Sequence, residues 1–219
     1  MYRLISLAIL IASLLTHNIS AADYRVTLLR AAPGYLGGLI EEAKSLRTQK
    51  KGELIIMRHS QGDHWDLMLL APQGENTLEE YQFKSLVAFQ HTFLAKAPED
   101  WDEIAKRDKR SSLYHIEIFK AAPGKYAELH KQRYMENAYY NATQREGNIV
   151  FETTFGNNMD LFTVGFYKDL ITFATDPDLP NEVFEKAATD AGFESRSSIG
   201  LYLRSLLATH NDTLATKVD

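Results

Sequence analysis

The 219-residue chain contains no cysteine. Disulfides, thiol nucleophiles, thiolate metal ligands and covalent haem attachment are all excluded by that single absence. Also missing are GxGxxG, a phosphate-binding Walker loop, GxSxG and HExxH, so no familiar nucleotide, hydrolase or metalloprotease site is written locally. Basic residues are in deficit, 24 Lys and Arg against 29 Asp and Glu. A net charge of −5 argues against a nucleic-acid partner, which rewards clustered cations. No basic amphipathic run suits an acidic membrane surface. Whatever chemistry the chain performs must come from His, Asp, Glu, Arg, Tyr or a bound cofactor.

What is present begins at the N-terminus. Arg3 precedes an apolar run, Leu4–Leu15, and small residues Ser20, Ala21 and Ala22 precede Asp23. Charge, a short apolar stretch and a small-x-small site form a secretory signal peptide. The run is well short of the ~20 apolar residues that span a bilayer. Residues 1–22 are therefore expected to be a leader, and the mature chain to be secreted or periplasmic with no membrane contact.

The remainder repeats itself. YRVTLLRAAPG from Tyr24 is echoed by YHIEIFKAAPG from Tyr114. Gly52–Ile56 lies over Gly147–Phe151, and Trp65–Leu69 over Met159–Thr163. Self-similarity of this kind is settled before anything else is read. Each copy reads strand, helix, two paired strands, helix: a strand ending at Ala-Ala-Pro-Gly, a helix with Leu36, Leu39, Ala43 and Leu46 on one face, then Glu53–His59 with Asp66–Leu70. In copy two the pair is Ile149–Thr154 with Asp160–Phe166, and the closing helices fall at Leu78–Lys96 and Asn181–Ala191. The pattern is α+β: two tandem ferredoxin-like βαββα repeats, residues 23–111 and 112–219, packed sheet to sheet as an intramolecular barrel.

Two stretches, Phe162–Ala174 and the strand-PGK-helix opening at Ile118–Tyr126, resemble the dimeric α+β barrel superfamily. That superfamily includes antibiotic-biosynthesis-type monooxygenases, haem-degrading enzymes and chlorite-dismutase-like proteins. The resemblance implies a barrel of two ferredoxin-like units and brings oxygenase chemistry and haem forward as possibilities.

The copies differ in polar residues. Arg25 and Thr27 become His115 and Glu117, two apart and so on one side of the strand. Val26 and Leu28, conserved in kind as Ile116 and Ile118, are expected to face the helices, leaving His115 and Glu117 to line the barrel interior. On the helix, Ile40, Ala43 and Arg47 become His130, Arg133 and Asn137, either a ligand-binding wall or a solvated face. Arg204, within the apolar run Leu201–Leu207, would pair with Asp212 or Glu117, hold a ligand carboxylate, or stand exposed on a terminal helix; His210 and Asp212 follow it closely. A run from Arg58 to Asp66 places His59, His64, Asp63 and Asp66 within metal-binding reach of one another or else in a solvated turn.

Three functions answer to these residues. The first is an exported carrier of an aromatic or apolar small molecule, with Arg25, His115, Glu117, His130, Arg133, Arg204, His210 and Asp212 around a cavity between the repeats. The second is an oxygenase or haem-dependent enzyme, with His115 and Glu117 as candidate catalytic residues, His115 as axial ligand or proton acceptor, and Arg204 as its polar partner. The third is a structural protein with a plain packed interior. Fusion of the two units allows a monomer, and exposed sheet edges would allow a homodimer.

Overall fold

The computed structural model describes residues 21–61, 63–74 and 83–219; the leader reading falls almost entirely outside them. Eight strands are described, β1 (Ala22–Ala31), β2 (Ile55–Gln61), β3 (Leu67–Pro72), β4 (Val87–Ala97), β5 (Leu113–Ala121), β6 (Ile149–Phe155), β7 (Leu161–Tyr167) and β8 (Leu207–Lys217). The helices are α1 (Leu36–Gln49), α2 (Trp101–Lys109), α3 (Tyr126–Ala142), α4 (Leu170–Ala174), α5 (Asn181–Asp190) and α6 (Ile199–Ser205). The strands close into one antiparallel barrel in the order β1-β3-β2-β8-β5-β7-β6-β4. Each half contributes the same sub-order, β4-β1-β3-β2 and β8-β5-β7-β6, and the β2–β8 and β4–β6 pairings join them. Closure within one chain leaves no free edge among these strands, so edge pairing is removed as a reason to dimerise.

One expected helical stretch is a strand: residues 87–96 of the Leu78–Lys96 run belong to β4, whereas the helix expected at Asn181–Ala191 forms as α5, and the chain after Ser205 turns into the further strand β8. The β4 side chains alternate, with Phe89, Phe93, Ala95 and Ala97 packed into the barrel, a period of two that only a strand produces. Each half therefore ends on a strand, βαββ followed by a helical segment and a further strand. Helix α2 is the connector between the halves.

The barrel interior is apolar. Tyr24, Val26, Leu28, Met57, Met68, Phe93, Tyr114, Ile116, Ile118, Phe151, Phe162 and Val164 are among the residues that fill it. Phe151 and Phe162 stack at 4.6 Å, with Phe93 edge-on to Phe162 at 5.9 Å. An eight-stranded barrel is just wide enough for side chains, and these aromatics occupy that width. The sequence expectation about faces is thus inverted: Val26 and Ile116 point inward, while Arg25, Thr27, His115 and Glu117 point outward under the helices. Both faces of this sheet are buried, so apolar alternation alone could not tell them apart. The second-strand alignment also shifts by one residue. Ile55 and Ile149 both face inward, paired to Leu70 and Val164, and a one-residue slip exchanges the faces.

Outside the barrel, α1 covers the first half with Leu39 and Ala43 against Leu29, Leu67 and Leu69. The repeated Ala-Ala-Pro-Gly is a β-turn in both halves. Tyr35 N–H donates to the Ala32 carbonyl and Lys125 N–H to that of Ala122, both at 2.9 Å, with Gly34 at φ 83° and Gly124 at φ 76°. Proline at the second turn position and glycine in the left-handed region at the third is the type II requirement; the proline belongs to this turn rather than to the first helical turn. Space is open around a Cβ at either glycine, so only backbone strain opposes substitution. Gly124→Ala should lower stability by about 1–2 kcal/mol, read as a lower urea midpoint with unchanged slope.

Candidate functional site

The registers of the two halves superimpose residue by residue. Beside Arg25, Thr27 and Leu29 on β1 lie Leu94, Thr92 and Gln90 of β4. Beside His115, Glu117 and Phe119 on β5 lie Leu214, Asp212 and His210 of β8. On the other flank Ala71 and Leu69 of β3 are matched by Gly165 and Thr163 of β7. The covering helix changes likewise, Ala43 to Arg133 and Leu46 to Glu136 by the same spacing that relates the two turns. A layer in the first half that mixes Arg25, Thr27, Gln90 and Thr92 with Leu29, Leu69, Leu94 and Ala43 is replaced in the second by a network of carboxylates, histidines and an arginine.

Glu117 is the centre of that network. Its Oε2 accepts from Arg133 Nη1 at 3.3 Å and from Thr163 Oγ1 at 3.1 Å. Its Oε1 faces His210 Nε2 at 3.4 Å, an ion-pair distance rather than a hydrogen bond. Arg133 is only 2% exposed. It also donates to Glu136 and, through Nε, to Gln132 Oε1 at 2.7 Å, and its guanidinium lies 4.8 Å over the Phe119 ring. Tyr140 donates to Glu136 Oε1 at 2.8 Å. His115 Nε2 meets Asp212 Oδ1 at 2.6 Å, and the His210 ring stacks flat on Phe119 at 4.8 Å.

These contacts set the protonation states. Burial alone would raise the Glu117 pKa, but the His210 ring, the Arg133 guanidinium and His115 outweigh it and hold the carboxyl at about 2. Stability linked to this group is present above its unfolded value of about 4.3 and is lost as pH falls toward its folded one. Burial likewise opposes charge on His115, yet the hydrogen bond to Asp212 and the charges of Glu117, Asp212 and Glu136 raise its pKa. That contribution has the opposite sign: present below the ordinary imidazole value and lost as pH rises through the folded one. Tyr140 is pushed up by burial and by Glu136, and stays a neutral donor.

Of the sequence-predicted residues, His115, Glu117, Arg133, His210 and Asp212 converge; the others do not. Arg25, in the first half, donates to Gln73 Oε1 at 3.3 Å. His130 turns to Glu152 at 3.0 Å near the rim. Arg204 is exposed on α6 and forms no ion pair with Asp212 or Glu117. His59 Nε2 accepts from the Asp63 N–H at 3.0 Å and His64 bonds Asp63. Asp66 is structural: its carboxylate accepts from the Ala31 N–H at 2.7 Å, just as Asp160 accepts from Ala121 at 2.8 Å. Among the described residues the three-ligand cluster is instead His115, Glu117 and Asp212. Thr163, Glu136, Tyr140 and Phe119 were missed, although carrying the strand and helix alignments through Leu69 and Leu46 would have exposed the first two.

A cleft of about 630 Å³ opens beside this cluster, lined by Arg110, Arg145, Tyr167, Thr172 and Asp178 among others. Phe173 connects the two, 5.0 Å from the His115 ring and 5.1 Å from that of Tyr167. Gly165, the β7 neighbour of His115, has no room for a side chain. A Cβ there would come within 2.6 Å of Asn148 Oδ1 and 2.8 Å of Tyr167 Cε2.

A buried charge network contributes little stability for its size, and removing one member leaves the others uncompensated. Arg133→Ala should cost about 3–5 kcal/mol in urea unfolding. Writing the first half's residues into the second, by combining Arg133→Ala with Glu117→Thr, Glu136→Leu and Thr163→Leu, should recover most of that loss.

No protein-family description and no curated protein sequence matches this chain. Solved structures match its fold. An anthrone oxidase-like protein aligns over 91% of this chain and 92% of its own at a TM-score of 0.60 and 10% identity. A putative chlorite dismutase aligns over 91% and 96%, at a TM-score of 0.52 and 14% identity. The chain is a mixed α/β protein that shares its fold with these solved structures, an eight-stranded antiparallel barrel closed here within a single polypeptide.

Proposed function

We propose that the protein is an exported, small-molecule oxygenase built from two tandem ferredoxin-like repeats, the second of which carries the reaction site. The observation that supports this reading most is the confinement of the charged network to the second half. The positions equivalent to Glu117, Arg133, Glu136 and Thr163 hold Thr27, Ala43, Leu46 and Leu69 in the first half, so the same plan folds there without the carboxylate–arginine pairs. Ionisable groups gathered at a stability cost beside a cleft mark a site of chemistry. The oxidase-like neighbour in fold is consistent with the reaction class. Export rests on the Arg3 and Leu4–Leu15 pattern, and cleavage after Ala22 would spare all but the first residue of β1.

The roles follow from basicity. A base works best with a pKa near the operating pH; a carboxyl held at about 2 is too weak for the task, which leaves the imidazole of His115. His115 takes the proton from an acidic O–H or C–H of an electron-rich aromatic substrate. Asp212 and Glu117 stabilise the imidazolium that forms. The resulting substrate anion is the electron donor to dioxygen. Glu117 is a positioning residue, its orientation held by Arg133 and Thr163. Phe173 and Tyr167 offer aromatic contacts for the substrate at the edge of the cleft.

Oxygen uptake with a panel of anthrones and polyhydroxylated aromatics tests the reading. At least one should be consumed, and His115→Ala should lower kcat by about 100-fold or more. Uptake indifferent to His115, or a stoichiometric Soret shift on adding hemin that depends on His115 or His210, would overturn it.

A further inference from the structure

The cleft beside the network has charged walls whose pairing is uneven. Asp176 is shared by two arginines, Arg196 at 2.6 Å and Arg145 at 3.3 Å. Glu146 is shared likewise, between Arg110 at 2.5 Å and Arg107 at 3.2 Å. Glu103 takes part of the charge of Arg107 and of Lys106. Five cations thus face three carboxylates, and the two other charged residues of the lining, Lys168 and Asp178, cancel in sign. The cleft carries a positive surplus although the whole chain is acidic.

Arg145 is the cation best placed to use that surplus. It lines the cleft with its side chain 20% exposed. Its two protein acceptors, Asp176 Oδ1 at 3.3 Å and the Phe173 carbonyl at 3.4 Å, lie beyond the usual hydrogen-bond range. The Tyr140 ring, 5.1 Å from the guanidinium carbon, backs the group by a cation–π contact. Beside it, the Tyr167 O–H donates to no acceptor among the described residues. Burial keeps that phenol neutral against the pull of Arg145, so it remains a donor. A forked guanidinium and a hydroxyl are the partners that a carboxylate takes. The Tyr167 ring and Pro177 give the same cleft apolar surface.

We propose that the cleft holds its substrate by a carboxylate, through Arg145 and the Tyr167 hydroxyl, so that the substrate class is a hydroxylated aromatic acid; the fate of the bound acid rests on the oxygenase reading. The carboxylate role that the sequence suggests for Arg204 falls instead to Arg145. With the acid group there, the aromatic ring lies against Tyr167 and Phe173, whose rings meet at 5.1 Å. Phe173 is also the ring that touches His115, at 5.0 Å, and the hydroxyl to be ionised is presented on that side. The surplus charge then serves twice. It recognises the acid, and it stabilises the second negative charge that the substrate gains when His115 takes its proton.

The test is calorimetric titration of the full chain, without dioxygen, with hydroxylated benzoate, naphthoate and anthracene carboxylate, each against its methyl ester. At least one acid should bind about tenfold or more tightly than its ester, by a margin that narrows as salt rises. Arg145→Gln should abolish the margin and leave the ester's affinity unchanged. Tyr167→Phe, which keeps the ring, should reduce the margin severalfold, and circular dichroism checks both folds. Failure of every acid to bind at millimolar concentration, equal affinity for acid and ester, or a margin untouched in both variants overturns the site. Oxygen uptake is measured separately on the same samples. Acid-selective binding without uptake sustains the site and rejects the oxygenase reading; uptake that is equally fast on acid and ester does the reverse.

Discussion

The contact between Glu117 and Arg133 is the constraint on which the second half of this protein depends. A carboxylate in the outer layer of a sheet, covered by a helix, is tolerated only if it is paired and hydrogen-bonded. Arg133 comes from α3 to meet it, and Arg133 in turn requires Glu136, which requires Tyr140 and Gln132. The chain of requirements fixes helix α3 over β5 and β7 by polar contacts where α1 is fixed over β1 and β3 by Leu39, Ala43 and Leu69. The same pair sets the state of its neighbours. With Glu117 ionised, His115 and His210 face a negative centre, and the seam between β5 and β8 becomes a place that attracts protons or cations.

The closed barrel makes this specialisation affordable in structural terms. Its interior is a continuous apolar core shared by both halves, with Tyr24 meeting Phe151, and Phe151 stacked on Phe162, across it. Aromatic pairs of this kind contribute about 0.5–1.5 kcal/mol each beyond their burial. Stability is thereby concentrated where the two halves meet. The layer between sheet and helices is left free to diverge, with carboxylate–arginine pairs in one half and none at the equivalent places in the other.

Much of this was legible in the sequence, though not its sidedness. The repeated Ala-Ala-Pro-Gly located the two turns, since Gly34 and Gly124 both need the left-handed region. Comparing Thr27 with Glu117 and Ala43 with Arg133 singled out the residues that meet. What misled was the alternation itself: Val26 and Leu28 are apolar, but so is Leu29 on the other face, because helices and core bury both. The strands β4 and β8 were hidden for a different reason. Their apolar residues lie in runs that also satisfy a helical period, and the short echo between Leu94-Ala95 and Leu214-Ala215 is too brief to announce a repeat. Once those strands are paired to β1 and β5, Gln90 and Thr92 stand where His210 and Asp212 stand, and the cluster is complete.

The central claim is that Glu117 is held ionised inside the protein by its partners. A carbon-13 NMR titration of the side-chain carboxyls, with Glu117 assigned by the signal lost in Glu117→Gln, tests it directly. The account predicts a midpoint near about 2, so that Glu117 remains ionised at about pH 4 while exposed glutamates take up protons. A midpoint at or above the ordinary glutamate value would contradict it, because Arg133 and the two histidines would then fail to outweigh burial.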